Sequence, residues 1–402
     1  MRRRHLVTCA RVTTRTFGSR EFPRINISPL LNPESTDQVK RSSVLASVSE
    51  AMTTKGYFYA DGVDLPPAYV HSVYNVLSAL HSMPLEAKMK YAKPHGTYSG
   101  PDVGSSEDAY EVGTAASVRS FDYSRVNFNN DSSETHYPTL PGNTTDDSVD
   151  GCTSSICTKS FLDDLYERQD RIAVALMVGF AEMLDLPLTT FSQHFTGSGG
   201  GDLGTIRLLH YPAATSAGEV HTREKANLVG IAPHTDFEFF TLMHQNRPGL
   251  QFLVNSDASR ETHDAGCSMD GGDSAGSRHW IDAPVDDAFL VIAGDMLERF
   301  TNGAVKALPH RVLHTQHARD SIIRFNALKA DTLVAPLDPF VTPSRPARYS
   351  PVTMKVHMET TMANLKLGKG AWAPGVCPGD PGTSLTATYQ YGAQLIEEHT
   401  RS

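Results

Sequence analysis

The chain has 402 residues, of which 40% are hydrophobic and 20% charged, as is typical of a globular protein with a large core. Its formal net charge of −9 argues against nucleic acid as the main partner, because nucleic-acid-binding surfaces are basic. No apolar run approaches the ~20 residues that a membrane-spanning helix needs, so we expect no transmembrane segment. The five cysteines form no CxxC pair, which argues against a zinc site built from thiolates.

Residues 1–20 carry six arginines but no aspartate, glutamate or lysine. An arginine-rich, acid-poor leader that also contains Ser and Thr is typical of a mitochondrial transit peptide. A short basic tail on a cytoplasmic protein would have the same composition. The sequence therefore leaves two localisations open, cytoplasmic and mitochondrial.

The first half of the chain predicts mainly helices. Residues 24–30 alternate like a strand, and the helical spacing that follows predicts a helix that Gly56 is suited to end. A second helix is expected to begin near Pro66 and to end before Pro84.

A polar loop is predicted for residues 126–157, because this segment is rich in Asn, Asp, Ser, Thr and Gly. Residues 158–196 then predict a longer supporting helix. Its buried stripe is expected to consist of Leu165, Ile172, Leu176, Phe180 and Met183. A further amphipathic helix and a Gly/Pro-rich tail are predicted within residues 350–402.

Residues 204–333 predict a succession of short strands. The runs are TIRLLHY, NLVGIAPHTDFEFFTLMH, LQFLV, HWIDA, FLVIAG, AVKALPHRVLH and SIIRFNAL. Many short strands separated by turn residues favour a β-sandwich or β-barrel. Residues 256–278 interrupt the pattern, since 13 of these 23 residues are Gly, Ser or Asp. This segment is interpreted as an exposed insertion between two strands.

Two glycine motifs offer competing functions. The G-x-G-x-x-G pattern at Gly199, Gly201 and Gly204 follows a helix and precedes a strand, whereas a dinucleotide site requires the opposite order. The G-x-S-x-G pattern around Ser274 is the alternative hypothesis of a serine esterase. Because it lies inside the polar insertion, without the apolar strand that a nucleophile elbow needs, we favour coincidence.

The third motif, His234-Thr235-Asp236, points to a metal. Residues two apart on a strand face the same side, so an imidazole and a carboxylate would converge. The flanking apolar residues predict that this strand is buried. The neighbouring Phe237, Phe239 and Phe240 are expected either to shape a pocket or to pack in the core.

A third ligand is needed to complete an open metal site, and three downstream histidines are candidates: His310, His314 and His317. His310 and His314 would share one face of a regular strand. Two histidines and one carboxylate on one face of the metal favour Fe(II) with exchangeable positions. Zinc also accepts these ligands, so the residues alone leave a zinc hydrolase open.

At this point the sequence resembles the iron(II)/2-oxoglutarate oxygenases of the isopenicillin N synthase-like family. The resemblance is carried by APHTDFEFFTLM, PGLQFLV, WIDAP, VIAGD, RFTNG, PHRV and the Arg319-x-Ser321 pair. A weaker resemblance covers residues 24–125, through KGYFY and PLEAKMKYA. It implies a mainly β protein with flanking helices, in which a distorted jelly-roll (double-stranded β-helix) core follows an α/β N-terminal domain.

The resemblance also implies the roles of individual residues. His234, Asp236 and His310 match the iron ligands, because His310 begins the family's HRV motif. Arg319 and Ser321 match the pair that holds the far carboxylate of 2-oxoglutarate.

The tyrosine of the family's YYP motif, which can reach the co-substrate, corresponds to Tyr211. Leu209 departs from the family, many members of which carry Asn there. The implied requirements are Fe(II), 2-oxoglutarate and O2, with ascorbate as an accessory reductant. Relatives that use no 2-oxoglutarate bind a substrate carboxylate at the Arg-x-Ser pair, so an oxidase remains an alternative. A ligand-binding relative without catalysis is disfavoured by the intact triad.

Overall fold

Two facing β-sheets occupy the centre of the protein in a computed structural model, which describes residues 21–32, 37–90, 100–101, 118–124, 138–141, 155–195, 201–213, 229–255 and 278–366. The described strands are, in chain order, β1 (Arg24–Asn26), β2 (Tyr57–Asp61), β3 (Gly100–Pro101), β4 (Arg119–Tyr123), β5 (Thr139–Pro141), β6 (Ser155–Cys157), β7 (Thr205–Tyr211), β8 (Val229–His234), β9 (Phe240–Gln245), β10 (Leu250–Asn255), β11 (Arg278–Asp282), β12 (Phe289–Ala293), β13 (His310–Leu313), β14 (Arg319–Asn326), β15 (Leu333–Val334) and β16 (Val352–Thr353).

The described helices flank these sheets. They are α1 (Ser28–Leu31), α2 (Gln38–Thr54), α3 (Pro67–Ser82), α4 (Leu85–Met89), α5 (Thr158–Met183), α6 (Asp295–Phe300) and α7 (Met354–Lys366), with 3-10 turns at Ser192–His194 and Asp338–Phe340. No helix in the described ranges is long and apolar enough to cross a membrane.

The larger sheet has eight strands in the order β1-β2-β12-β9-β14-β7-β4-β3, and the smaller has four in the order β11-β10-β13-β8. β1 and β2, from the N-terminal part of the chain, therefore extend the same sheet as the later strands. The predicted class, a mainly β core with flanking helices, is confirmed.

Two apolar clusters hold these layers together. On one face of the large sheet, residues such as Leu208 and Ile322 pack with helix α5. On the other face, Leu209, Tyr211 and Ile323 pack with residues of the small sheet. Alternation along β7 and β14 separates the two sets, because successive side chains of a strand point to opposite faces. The second face, between the sheets, is where the site residues lie.

The predicted helices are confirmed with their end signals. The side chain of Asp37 caps α2 by accepting a hydrogen bond from the Lys40 amide, at 3.0 Å. Gly56, with a φ of +79°, follows its last turn. Helix α3 lies between Pro66 and Pro84, as expected. In α5 the predicted stripe is buried except Met183, which is half-buried at the helix end.

Several predicted segments are wrong in their local structure. Only Arg24–Asn26 of the first predicted strand is extended, because Pro29 sits in the first turn of α1. The polar loop predicted for 126–157 contains an antiparallel pair, β5 with β6. In the run AVKALPHRVLH only His310–Leu313 forms a strand.

The predicted insertion begins and ends between adjacent strands, β10 and β11. Its last residue belongs to β11 instead, since Arg278 pairs with Asn255. The rest of that insertion, together with residues 1–20, lies outside the described residues, and the predicted domain boundaries stay predictions.

Candidate metal centre

The structure brings His234, Asp236 and His310 together at one end of the small sheet. His234 ends β8 and His310 begins β13, and the two are direct partners in the antiparallel register. Their ring centroids are 4.3 Å apart. Asp236 Oδ1 lies 3.8 Å from His234 Nε2 and 3.7 Å from His310 Nε2. All three side chains are buried, and one ligand atom from each lies within 4.8 Å of the others.

Hydrogen bonds orient His310 and Asp236 toward a common centre. His310 Nδ1 lies 2.9 Å from the carbonyl oxygen of Leu308, which can only accept, so Nδ1 carries the proton. Nε2 of His310 therefore presents its lone pair to the centre. Thr241 Oγ1 donates to Asp236 Oδ2, which leaves Oδ1 facing the two imidazoles. This buried set of two imidazoles and one carboxylate fits a divalent ion such as Fe(II).

The expectation that His234 and Asp236 lie on one continuous strand is wrong. β8 ends at His234, and Asp236 lies in a bend before β9. The bend is held by the start of helix α6, where the amides of Asp295 and Met296 donate to the carbonyls of Asp236 and Glu238, at 2.8 and 3.1 Å. The two ligands converge through this turn and not through strand alternation.

Gly294 allows the close approach between the bend and α6. A Cβ atom at this position would lie only 2.3 Å from the carbonyl oxygen of Glu238. Asp295 adds side-chain contacts on both sides: Thr235 Oγ1 donates to it at 2.9 Å, and His357 Nε2 of α7 lies 3.2 Å from its other oxygen. Helices α6 and α7 are thus both connected to the segment between β8 and β9 (residues 235–239), which is called the metal-binding bend because it carries the candidate ligand Asp236.

A second buried cluster surrounds Arg319 at the start of β14. Arg319 is only 1% exposed. Arg319 Nη2 donates to Gln245 Oε1 at 2.9 Å, and its guanidinium lies over the Tyr211 ring, 4.6 Å from the centroid. Arg319 Nη1 and Ser321 Oγ are buried and have no hydrogen-bond partner. Two unsatisfied donors side by side on one strand face are suited to an anionic ligand.

Strand register places the two clusters on one inward face. On β9, Thr241 supports Asp236 and Gln245 contacts Arg319, and the two are four residues apart on the same side. Ser321 pairs with Gln245 on β9 and with Leu209 on β7. Leu209 is buried on this face. Because its side chain is a hydrocarbon, this position offers no polar group to a co-substrate.

Tyr211 belongs to the same inward face, where its ring packs against β8. A Cβ atom at Gly230 would lie 3.1 Å from Tyr211 Cδ1. Burial raises the pKa of the Tyr211 hydroxyl, and the adjacent Arg319 guanidinium acts in the opposite direction. The hydroxyl is therefore a neutral donor or acceptor beside the arginine.

A cavity partly open to solvent adjoins the triad and has about 480 Å³ of empty space, a figure that includes the solvent at its mouth. Its polar lining residues are Asp122, Thr205, Arg207 and Glu238 together with His234 and Asp236, and its apolar lining residues are Phe237, Phe325, Met358 and Met362. Of the three phenylalanines after the HTD motif, Phe237 lines this cavity, whereas Phe239 and Phe240 are buried in the helix-side core. Burial raises the pKa of the Glu238 carboxyl, and the nearby charge of Asp236 raises it further.

Among the described residues, the structure does not bring the other two candidate histidines into the cluster. His314 follows the end of β13, where the register shift after His310 breaks the regular strand on which the shared face depended. His317 is exposed. Ser274 and Gly199 lie outside the described residues, so the esterase hypothesis receives no support from this structure. Sequence reasoning missed Thr241, Gln245, Glu238 and Asp295, because no local pattern in the sequence shows which groups these side chains contact.

Comparisons with known proteins agree with this site. The 2OG-Fe(II) oxygenase superfamily model matches residues 205–327, the range that contains the triad, Arg319 and Ser321. The model described as non-haem dioxygenase in morphine synthesis N-terminal matches residues 22–138. The chain belongs to the Fe(II)/2-oxoglutarate oxygenase family. Its predicted resemblance to that family is confirmed. The two models together cover the N-terminal strands and the later strands of the large sheet.

Related proteins carry the same general activity in their names. A 2-oxoglutarate-dependent dioxygenase, imqE of Aspergillus flavus, is 30% identical over 207 residues, which is 48% of this chain and only 50% of that protein. A homoarginine-6-hydroxylase of Glycine max is 25% identical over 337 residues, or 79% of this chain and 88% of the relative. The names describe a 2-oxoglutarate-dependent dioxygenase and a hydroxylase, and the substrate that the second name states belongs to that relative.

Solved structures share the fold. A Neurospora crassa protein in complex with α-ketoglutarate and thymine superposes with a TM-score of 0.64 at 20% identity, covering 85% of this chain and 96% of that one. The rice dioxygenase for auxin oxidation gives 0.58 at 18% identity, covering 91% and 99%. The double-stranded β-helix core implied by the sequence is therefore confirmed.

Proposed function

We propose that this chain is an Fe(II)- and 2-oxoglutarate-dependent dioxygenase that hydroxylates, desaturates or cyclises a small organic substrate. In the hydroxylating case, one O2 and one 2-oxoglutarate are consumed per substrate, and succinate and CO2 are released. The observation that carries the proposal is the pairing of a buried His-Asp-His triad with buried, unsatisfied donors on the facing sheet.

His234, Asp236 and His310 are the proposed iron ligands. Three protein ligands on one side of the ion leave positions for the co-substrate and O2. Bound Fe(II) would activate O2 and supply the oxidising chemistry. The chain's own contribution is to fix the ligands: Leu308 sets the tautomer of His310, and Thr241 orients Asp236.

Arg319 and Ser321 are the proposed binding residues for the distal carboxylate of 2-oxoglutarate. Arg319 is always charged, and Gln245 holds one of its nitrogens while Nη1 stays free to donate. Ser321 Oγ adds a second donor from the same strand face. Tyr211 limits the pocket from the side by packing against the guanidinium. An anion bound here would satisfy both buried donors at once.

A turnover assay without a primary substrate tests the proposal. Many oxygenases of this kind release succinate slowly when substrate is absent, so Fe(II), 2-oxoglutarate, ascorbate and O2 suffice as reagents. We expect succinate and CO2 in equal amounts, dependent on Fe(II) and lost on replacing His310 by alanine.

Three results would contradict the proposal. Oxygen consumption that needs no 2-oxoglutarate and forms no succinate would assign the Arg319 pocket to a substrate carboxylate, as in an oxidase. Ester hydrolysis that is independent of iron and lost in Ser274→Ala would favour the esterase. Succinate release that persists undiminished in His310→Ala would separate the activity from the triad.

A further inference from the structure

Glu238 lines the cavity, and its buried side chain has no role in binding the metal. It is 4% exposed, and its Oε2 atom has no hydrogen-bond partner. Its main chain is fixed, because its carbonyl accepts from the Met296 amide at 3.1 Å. Leaving a carboxylate oxygen buried without a donor is costly, so such a group is retained where a ligand supplies the donor.

The other charged groups of the cavity already have partners. Arg207 binds Asp122 through two bonds, both 2.8 Å long. Asp236 receives Thr241 at one oxygen and directs the other between the two imidazoles. Among the carboxylates that line the cavity, Glu238 is therefore the one that offers a buried, unoccupied acceptor atom.

The remaining walls are apolar and adaptable. Phe237 and Phe325 present aromatic side chains, and Met358 and Met362 of α7 present flexible thioethers. Such walls are suited to an aromatic or aliphatic part of a ligand. The cavity thus combines an apolar surface with a single unsatisfied acceptor, next to the metal ligands.

We infer that the primary substrate presents a nitrogen-borne hydrogen donor to Glu238, either a cationic amine or amidine-type group or a neutral amide N–H, while its apolar part lies against the aromatic and methionine walls. This inference rests on the proposed function, since it takes the cavity beside the triad as the substrate site. Glu238 is then the residue that selects for nitrogen-containing substrates and disfavours carboxylates.

Three isosteric probes separate the possible ligand chemistries: benzamidinium is cationic, benzamide is neutral with an N–H donor, and benzoate is anionic without one. Their binding is measured by calorimetry on the anaerobic protein loaded with Fe(II) and saturating 2-oxoglutarate. We expect benzamidinium or benzamide to bind at least ~10-fold more tightly than benzoate, because either can donate a hydrogen bond to the buried Glu238 oxygen. If the nitrogen group of the primary substrate is cationic, benzamidinium should bind more tightly than benzamide. If that group is a neutral amide, benzamide should bind more tightly.

The variants Glu238→Gln and Glu238→Asp test the residue itself. Glutamine replaces one acceptor oxygen by an amide group at equal size and should reduce the preference for benzamidinium over benzoate by ~10-fold, whereas aspartate, which keeps both carboxyl oxygens, should retain part of it. Glu298→Gln is the matched control, because that buried carboxylate is satisfied by Tyr349 and the Ala307 amide away from the cavity.

The binding of the three probes to the wild-type protein is the first test of the inference. Benzoate bound as tightly as both nitrogen probes, or no probe bound at all, would overturn it, as would an unchanged preference in Glu238→Gln. The charge-transfer absorption of the Fe(II)–2-oxoglutarate complex, recorded on the same samples, keeps the two claims apart. If that band is present while the probes fail, only this inference fails, and if it is absent, the proposed function fails.

Discussion

At the scale of single residues, the site depends on atoms left free by their neighbours. Leu308 occupies one nitrogen of His310, and Thr241 occupies one oxygen of Asp236, so the remaining atoms point to a common centre. At the other cluster, Gln245 occupies one nitrogen of Arg319 and leaves Nη1 to a ligand. Each supporting contact fixes an orientation that a lone side chain would have to acquire on binding.

The sequence predicted the charged residues of this site but not their supports. The His-x-Asp spacing pointed to His234 and Asp236, and the resemblance to a family with an HRV motif selected His310 among three downstream histidines. Glu238 and Gln245 are ordinary polar residues within an apolar run, and only the three-dimensional structure shows that Gln245 lies beside Ser321 and that Glu238 lines the cavity. The reason given for the His-x-Asp convergence was wrong, since the turn and not a strand creates it.

Arg319→Leu should raise the KM for 2-oxoglutarate by ~30-fold or more, because truncating one member of a buried charged pair costs about 2–5 kcal/mol. Arg319→Lys should rescue only in part, since an ammonium lacks the two-pronged geometry. Fe(II) affinity should stay close to that of the wild type. Succinate release against 2-oxoglutarate concentration measures the effect.

The control for that prediction is Arg41→Leu, which removes a guanidinium paired with Glu182 in the helix layer at 2.6 Å. It should leave the KM for 2-oxoglutarate unchanged. An unaltered KM in Arg319→Leu as well would show that the co-substrate binds elsewhere.

At the scale of elements, helix α6 acts as the support of the metal-binding bend. Its first amides bind the carbonyls of Asp236 and Glu238, and Asp295 bridges Thr235 to His357 of α7. The sequence predicted the strands on both sides of the bend from their apolar runs. It did not predict the break between them, because the hydrogen bonds that replace the strand ladder come from a helix 58 and 59 residues further along the chain.

Gly294→Ala should weaken this support. The added Cβ would meet the rigid carbonyl of Glu238, so the bend or α6 must shift, and we expect the free energy of unfolding to fall by about 1–3 kcal/mol, as in overpacked cores. The displacement should also weaken Fe(II) binding. Urea denaturation and anaerobic metal titration measure the two effects.

Gly179→Ala in α5 is the matched substitution, because its Cβ would lie 3.3 Å from Leu30 Cδ1, the end of a flexible side chain. It should leave Fe(II) affinity unchanged and cost less stability, since alanine also favours the helix. Equal behaviour of the two variants would refute a supporting role for the α6 contact.

At the scale of the whole molecule, strands from both ends of the chain build one large sheet, and the smaller sheet supplies two of the three triad residues. The composition and the strand pattern predicted a mainly β core, but the order of the strands depends on long-range pairing that no local pattern records. The polar insertion provides a direct test of how much of the chain this core requires.

Deleting residues 257–277 and joining the ends with a short Gly-Ser bridge should preserve folding and succinate release. Asn255 and Arg278 are register partners, so the ends of the deleted segment are already adjacent, and shortening a loop changes its closure entropy by only about 1 kcal/mol. Thermal unfolding and the turnover assay test this. Loss of iron-dependent turnover in a folded deletion protein would show that the segment contributes to the site.

The most direct test of the metal assignment is an anaerobic titration of the metal-free protein with Fe(II) and then with 2-oxoglutarate, followed by visible absorption. We expect one Fe(II) per chain and a metal-to-ligand charge-transfer band that develops when one 2-oxoglutarate is added. The band should be absent in His310→Ala and present in His314→Ala, because His310, and not His314, belongs to the cluster around Asp236. A band of full intensity in His310→Ala, or no band in the wild-type protein, would contradict the metal assignment.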